Sequence, residues 1–137
     1  MNTANAALLF GVVFTVVGVV GFFPTPPPPG APPLVFDHGH GLALGIFPVN
    51  TLHNIVHLLF GILGIAAARG ALMSARGYFQ MVTIAYTALA LLGFIPATQT
   101  TLGLVPIWGA DVWLHLAIAA VAAFFGFAAR VPVTQRV

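Results

Sequence analysis

His53 and His57 stand four residues apart in one apolar stretch, and Asp111 and His115 stand four apart in another. Residues at i and i+4 share a helix face, so each pair would present two polar groups in one direction. Imidazole and carboxylate are ligands for zinc and related divalent ions, and histidine also serves as an axial ligand to haem iron. His53, His57, Asp111 and His115 are therefore candidate metal ligands, and His57 with His115 a candidate axial pair for a tetrapyrrole, haem or chlorophyll. A purely structural alternative is that these groups only satisfy one another, as their burial would require. No cofactor is firmly implied. A second cluster, Phe36-Asp37-His38-Gly39-His40-Gly41, offers Asp37, His38 and His40 as outer ligands at the mouth of such a site, or forms a polar turn eased by glycine.

Other chemistry has little to work with. The chain holds two acidic residues, four arginines, no lysine and no cysteine, so thiol chemistry, iron–sulfur clusters and disulfides are excluded. Ser74 is the sole serine and lies in a different connection from the histidines, which leaves no Ser-His-Asp nucleophile. The Glu of the HExxH metalloprotease motif is missing beside His53 and His57, and no phosphate-cradling GxxxxGK loop occurs. Four scattered arginines make no basic face, so nucleic acid is not a partner. The chain is expected to be non-enzymatic.

The elements that would position these residues follow from composition. Of 137 residues 60% are hydrophobic and 4% charged, and mean hydropathy is +1.06, where soluble domains carry about 25% charged residues. A bilayer is the fitting solvent. Crossing its hydrocarbon takes roughly 20 apolar residues as helix, and segments 4–23, 50–68, 78–95 and 110–129 qualify. The first lacks the basic start and cleavage site of a signal peptide, so it is expected to remain.

Two stretches repeat one pattern: Leu44-Gly45, Pro48, His57 and Leu58 fall on Leu102-Gly103, Pro106, His115 and Leu116, while His53 falls on Asp111. The fold class is therefore all-α integral membrane, with four transmembrane helices as two parallel-repeat helical hairpins around a pseudo-twofold along the membrane normal. One domain, 1–137, is expected to hold repeat one (4–68, with a Pro-rich insertion at 24–36) and repeat two (78–130). The insertion should be a polyproline II strut crossing the bundle mouth, and Asn50 a helix N-cap. Gly11, Gly18, Gly61 and Gly64 permit close helix approach, and the Ala-rich run ending at Gly126 suggests that helix four is central. Trp108, Trp113 and Tyr78 read as interfacial anchors.

Arg69 and Arg76 lie between helices two and three, and Arg130 and Arg136 after helix four. Positive residues stay inside, which places both termini in the cytoplasm and every histidine on the outer side. The expected setting is the bacterial inner membrane, multi-pass, with lipid and other membrane subunits as partners.

The run from Leu44 to Gly61, with Gly109-Ala-Asp-Val-Trp-Leu-His115, resembles the bacterial membrane family called domain of unknown function 4383. The resemblance covers most of the chain apart from the Pro-rich insertion. The second motif departs from the family pattern, which favours Asn where Trp108 and Val112 stand. The resemblance implies small four-helix integral membrane proteins without an assigned activity. Residues and resemblance together point to an accessory or scaffolding subunit of a homo-oligomer or larger membrane complex, or else to a metal- or tetrapyrrole-binding membrane protein.

Overall fold

A computed structural model describes residues 1–129. Arg130 and Arg136, which carry half of the orientation argument, lie outside the described residues. Helices α1 (Thr3–Val20), α2 (Thr51–Ala68), α3 (Ala75–Phe94) and α4 (Ala110–Ala123) make up most of it, with a π-helical turn at Phe124–Ala128 and a small antiparallel pair, β1 (Gly41–Ala43) and β2 (Phe47–Val49). All four helices, α4 taken with its π turn, are long and apolar enough to cross a membrane.

Capping sets the boundaries. Asn2, Asn50 and Ser74 each accept a backbone N–H of the first turn, from Asn5, His53 and Gly77, which satisfies one of the donors a helix start leaves open. Ser74 thereby starts α3 three residues before the expected position. The change relocates Tyr78, which is fully buried, with its hydroxyl donating to the Phe60 carbonyl at 3.2 Å. It is a core residue, not an interfacial anchor. Trp113 does face outward, 63% exposed, against the edge of Phe94.

The most extensive helix contacts are α1 with α2 and α3 with α4. Between α1 and α2 the backbones meet at Gly11, Gly61 and Gly64, where a Cβ on Gly11 would stand 2.8 Å from the Gly61 carbonyl oxygen. In hydrocarbon such close packing replaces the missing hydrophobic drive between helices. Gly126 lies somewhat less closely on Phe79 and Gln80 of α3, a Cβ there standing 3.0 Å from the Gln80 backbone nitrogen. Helix α4 is no more buried than α2 or α3, so the small-residue run does not make it central. Its small residues instead let its end lie on α3, where carbonyls of the π turn meet α3 side chains. Arg76 donates to the carbonyls of Gly126 at 2.9 Å and Phe127 at 3.0 Å, and Gln80 to Gly126 at 3.1 Å.

The connections α1–α2 and α3–α4 lie together at the end of the bundle where the histidines are. The Pro-rich segment is not one straight strut: the chain turns at Pro28–Ala31, with Gly30 at φ 80°, and Thr25 pairs with Leu42. Glycine supplies the left-handed residue that proline cannot. The repeated Leu-Gly pairs share a conformation. Leu44 and Gly45 have φ of 54° and 71°, Leu102 and Gly103 of 61° and 84°. Each sits in a turn with equivalent bonds, Gly45 N–H to Leu42 O and Ile46 N–H to Ala43 O in one, Gly103 N–H to Thr100 O and Leu104 N–H to Thr101 O in the other. The two connections are tied to each other. The amides of Val35 and Phe36 both donate to the Gly103 carbonyl, at 2.8 and 3.0 Å.

Candidate functional site

Asn50 joins this knot of loops to the polar helix faces. Its side-chain oxygen accepts from the His53 amide at 2.9 Å, while its NH2 donates to the carbonyls of Phe36 at 2.9 Å and Leu104 at 2.7 Å. Three of the four bonds an amide can make are therefore formed. One buried side chain fixes the start of α2 and draws both connections over it.

Beneath the loops, α2 and α4 face each other with their polar residues inward. His53, Asp111 and His115 are 2%, 2% and 1% exposed, and one ligand atom from each lies within 4.8 Å of the others. The i, i+4 spacing brings each pair onto one face. His57, 6% exposed, is on the same face of α2, with its ring centroid 4.5 Å from that of His53. The structure thus gathers three of the four expected metal ligands tightly and stacks the fourth against them.

His115 Nδ1 lies 2.9 Å from the Asp111 backbone carbonyl oxygen and 3.2 Å from the carboxylate Oδ2. A carbonyl only accepts, so Nδ1 carries the hydrogen and donates it there. One hydrogen directed at the carbonyl leaves Oδ2 close by yet without a donor, and Oδ2 is buried and unpartnered. In the neutral ring the lone pair is then on Nε2, the nitrogen left free to ligate. This is the arrangement in which a second bond fixes the tautomer of a metal-binding histidine. Nδ1 of His53 and Nδ1 of His57 are likewise buried without a partner.

Aromatic rings from all four helices enclose the cluster. Phe14 of α1 stacks on His57 at 5.9 Å and on Tyr86 of α3 at 5.3 Å, Tyr86 stacks on His115 at 4.8 Å, and His115 lies 5.8 Å from His53, which returns to His57. The five rings close a circuit. Above it is a cavity of about 80 Å³ bordered by His53, His57, His115 and Tyr86, with Thr101, Val105 and Ile107 of the α3–α4 connection on its other side. Pockets for organic ligands run to roughly 300–1,000 Å³. A tetrapyrrole does not fit between His57 and His115 in this packing, whereas an ion with one small attached group does.

The outer cluster is organised otherwise. His38, exposed, places Nδ1 2.9 Å from Thr51 Oγ1 and accepts the Thr51 amide on its carbonyl. His40 donates its amide to the Asp37 carbonyl across a turn whose Gly39 has φ 70°. Partial burial lowers the pKa of His40, and the nearby Asp37 opposes that only in part. Among the described residues, Asp37, His38 and His40 are not part of the ligand grouping around His53. The segment forms the polar turn that glycine permits.

Sequence reasoning did not single out Phe14, Tyr86 or Thr101. The two aromatics look like ordinary apolar-helix residues, and Thr101 lies in a connection with no pattern of its own. The remaining signal was Tyr86, a polar-tipped ring in the middle of a span, which calls for a reason when buried.

No curated protein and no solved structure matches the chain. A family model described as a domain of unknown function (DUF4383) matches residues 4–128, from the first helix through the π turn after the fourth, and the chain belongs to that family.

Proposed function

We propose that this is a non-enzymatic integral membrane protein that holds one divalent transition-metal ion between α2 and α4, with His53, Asp111 and His115 as the protein ligands. The observation that carries this reading is the convergence of their three buried ligand atoms within 4.8 Å. A carboxylate buried without a donor is costly, and a cation is the partner that offsets the cost. Two imidazoles and one carboxylate suit zinc and its neighbours better than calcium or magnesium, which prefer oxygen alone. Tetrahedral bonds of 2.0–2.2 Å put neighbouring ligand atoms about 3.4 Å apart, so the three groups draw inward by about an ångström on binding.

The proposal includes a single domain of two repeats (4–68 and 78–130), placed in the bacterial inner membrane with both termini cytoplasmic. Arg69 and Arg76, in and next to the α2–α3 turn, support that orientation, which puts the ion site in the outer half of the bilayer. The outward apolar residues of α1, among them Leu9, Val12, Val16 and Val19, each 46–55% exposed, leave a face for lipid or for a companion subunit. An accessory role beside such a subunit fits a chain so poor in reactive groups.

The test is elemental analysis of protein purified in detergent without a polyhistidine tag, then incubated with zinc and washed. One ion per chain is expected in the wild type and none in His115→Ala or Asp111→Ala. A folded wild type that retains no metal overturns the proposal.

A further inference from the structure

At the histidine end of the bundle, the connections 21–50 and 95–109 hold one charged side chain between them apart from histidine, Asp37, and neither arginine nor lysine. About a quarter of the residues in a water-facing domain are charged. The surface here is apolar instead. Leu44 and Leu102, matched in the two repeats, are 73% and 84% exposed, and Ile46 and Leu104 beside them 55% and 47%. Apolar groups gathered in this way on a surface belong to a contact with a partner or a membrane. We propose that Leu44 with Ile46, and Leu102 with Leu104, embed in the interfacial layer of the phospholipid leaflet at that end, one tip from each repeat, with or without an ion between α2 and α4.

Helix length brings the tips to that depth. Helix α2 has 18 residues, and α4 with its π turn has 19. They rise about 27 and 28 Å at about 1.5 Å per residue, against about 30 Å of hydrocarbon. Arg69, directly after α2, holds that end in the polar layer, so the other end, at Thr51, starts at or below the opposite hydrocarbon boundary. Strand β2, which leads into it, has three residues and reaches about 10 Å, while the headgroup layer is about 5–8 Å thick on each side. Even upright, the hairpin ends within a few ångström of that layer. The pairing of Leu42 with Thr25, just past the end of α1, holds it low. The bonds from Val35 and Phe36 to the Gly103 carbonyl tie the second tip to the same connection.

Two observations select lipid as the occupant. Trp113, in the first turn of α4, is 63% exposed against Phe94, the last residue of α3, and outward tryptophan at a span's end is the ordinary side chain of the interface. The outward residues of the adjoining helix turns, Ile55 of α2 and Leu116 of α4, are apolar and exposed too. With no basic residue in either connection, anionic headgroups offer no attraction, so a zwitterionic leaflet suffices. An unfolded chain held in the same apolar medium keeps such contacts, so insertion sets the protein's position in the bilayer and adds little to folding stability.

The chain has no cysteine, so single cysteines can be labelled without background. Leu44→Cys, Leu102→Cys, Ile62→Cys and Asp37→Cys full-length chains, each carrying a nitroxide, are reconstituted in phosphatidylcholine vesicles. Collisions with oxygen, which concentrates in lipid, are compared with collisions with a nickel chelate, which stays in water. Ile62, 59% exposed in the middle of α2, is the lipid reference and Asp37 the water reference. Labels at 44 and 102 are expected to meet oxygen more often than the chelate, as at Ile62, with the reverse at position 37. An oxygen-to-chelate ratio at either leucine no higher than at position 37 overturns the proposal. Labels shielded from both reagents until the protein is diluted in lipid also overturn it, since a second copy would then cover the tips. Neither result bears on the metal reading, which zinc uptake tests separately.

Discussion

Replacing Asn50 separates a local capping role from its long-range bonds. Asn, Asp and Ser cap helices about equally well, so if capping were the whole role, Asn50→Asp and Asn50→Ser would be silent. The structure gives a different ordering, because the Asn50 NH2 also donates to the carbonyls of Phe36 and Leu104. Losing the cap costs about 1 kcal/mol, and each carbonyl left unpaired costs about 1–3 kcal/mol. Both bonds are only part-buried, so the lower end applies. Asn50→Ser, which keeps a cap, should then cost about 2 kcal/mol and Asn50→Ala about 3 kcal/mol. Asn50→Asp should cost at least as much as Asn50→Ala, since it sets a carboxylate in a fully buried position against two carbonyl oxygens. Unfolding in mixed detergent followed by far-ultraviolet circular dichroism measures the series. If the Ser and Asp variants both lie within about 0.5 kcal/mol of wild type, capping alone is at work and the clamp does not hold the connections together.

The three atoms nearest a Cβ on Gly21 all belong to the side chain of Asn54, so Gly21→Ala should destabilise and Asn54→Ala in the same chain should restore much of the loss. A double variant no more stable than Gly21→Ala alone would contradict that contact. Leu44 and Leu102 are 73% and 84% exposed at positive φ, so Leu→Gly at each should stabilise by up to about 1 kcal/mol as backbone strain is relieved; loss of stability in the same unfolding assay would count against the turn geometry. Arg76→Ala should cost about 1–3 kcal/mol and speed amide exchange in the π turn, because two carbonyl partners are lost. Arg76→Lys should recover little, as one ammonium does not reproduce the forked pair of bonds; full recovery would refute the role of the fork.

The four spans were legible because hydropathy and length are properties of contiguous residues, and the i, i+4 pairs were legible because helical periodicity turns spacing into direction. The shared Leu-Gly turns were foreshadowed by the repeat itself. Tyr78 was misread: its place near an apolar segment's end looks interfacial until Ser74 extends the helix and carries it into the core. The Asn50 clamp was half visible, its capping bond being local and its bonds to Phe36 and Leu104 depending on how two distant connections cross. Thr101 was invisible for a related reason, since its place at the edge of the cavity leaves no mark on the residue order.

The ring circuit also fixes a sequence of events during biogenesis. His53 and His57 enter the membrane with the first half of the polypeptide, while Tyr86, Asp111 and His115 emerge from the ribosome later. Until the last span is inserted, the early imidazoles have each other and Phe14 beside them, but not the carboxylate of Asp111 or the ring of His115. Assembly of the polar cluster is therefore a late step, and truncation anywhere before residue 115 leaves it incomplete.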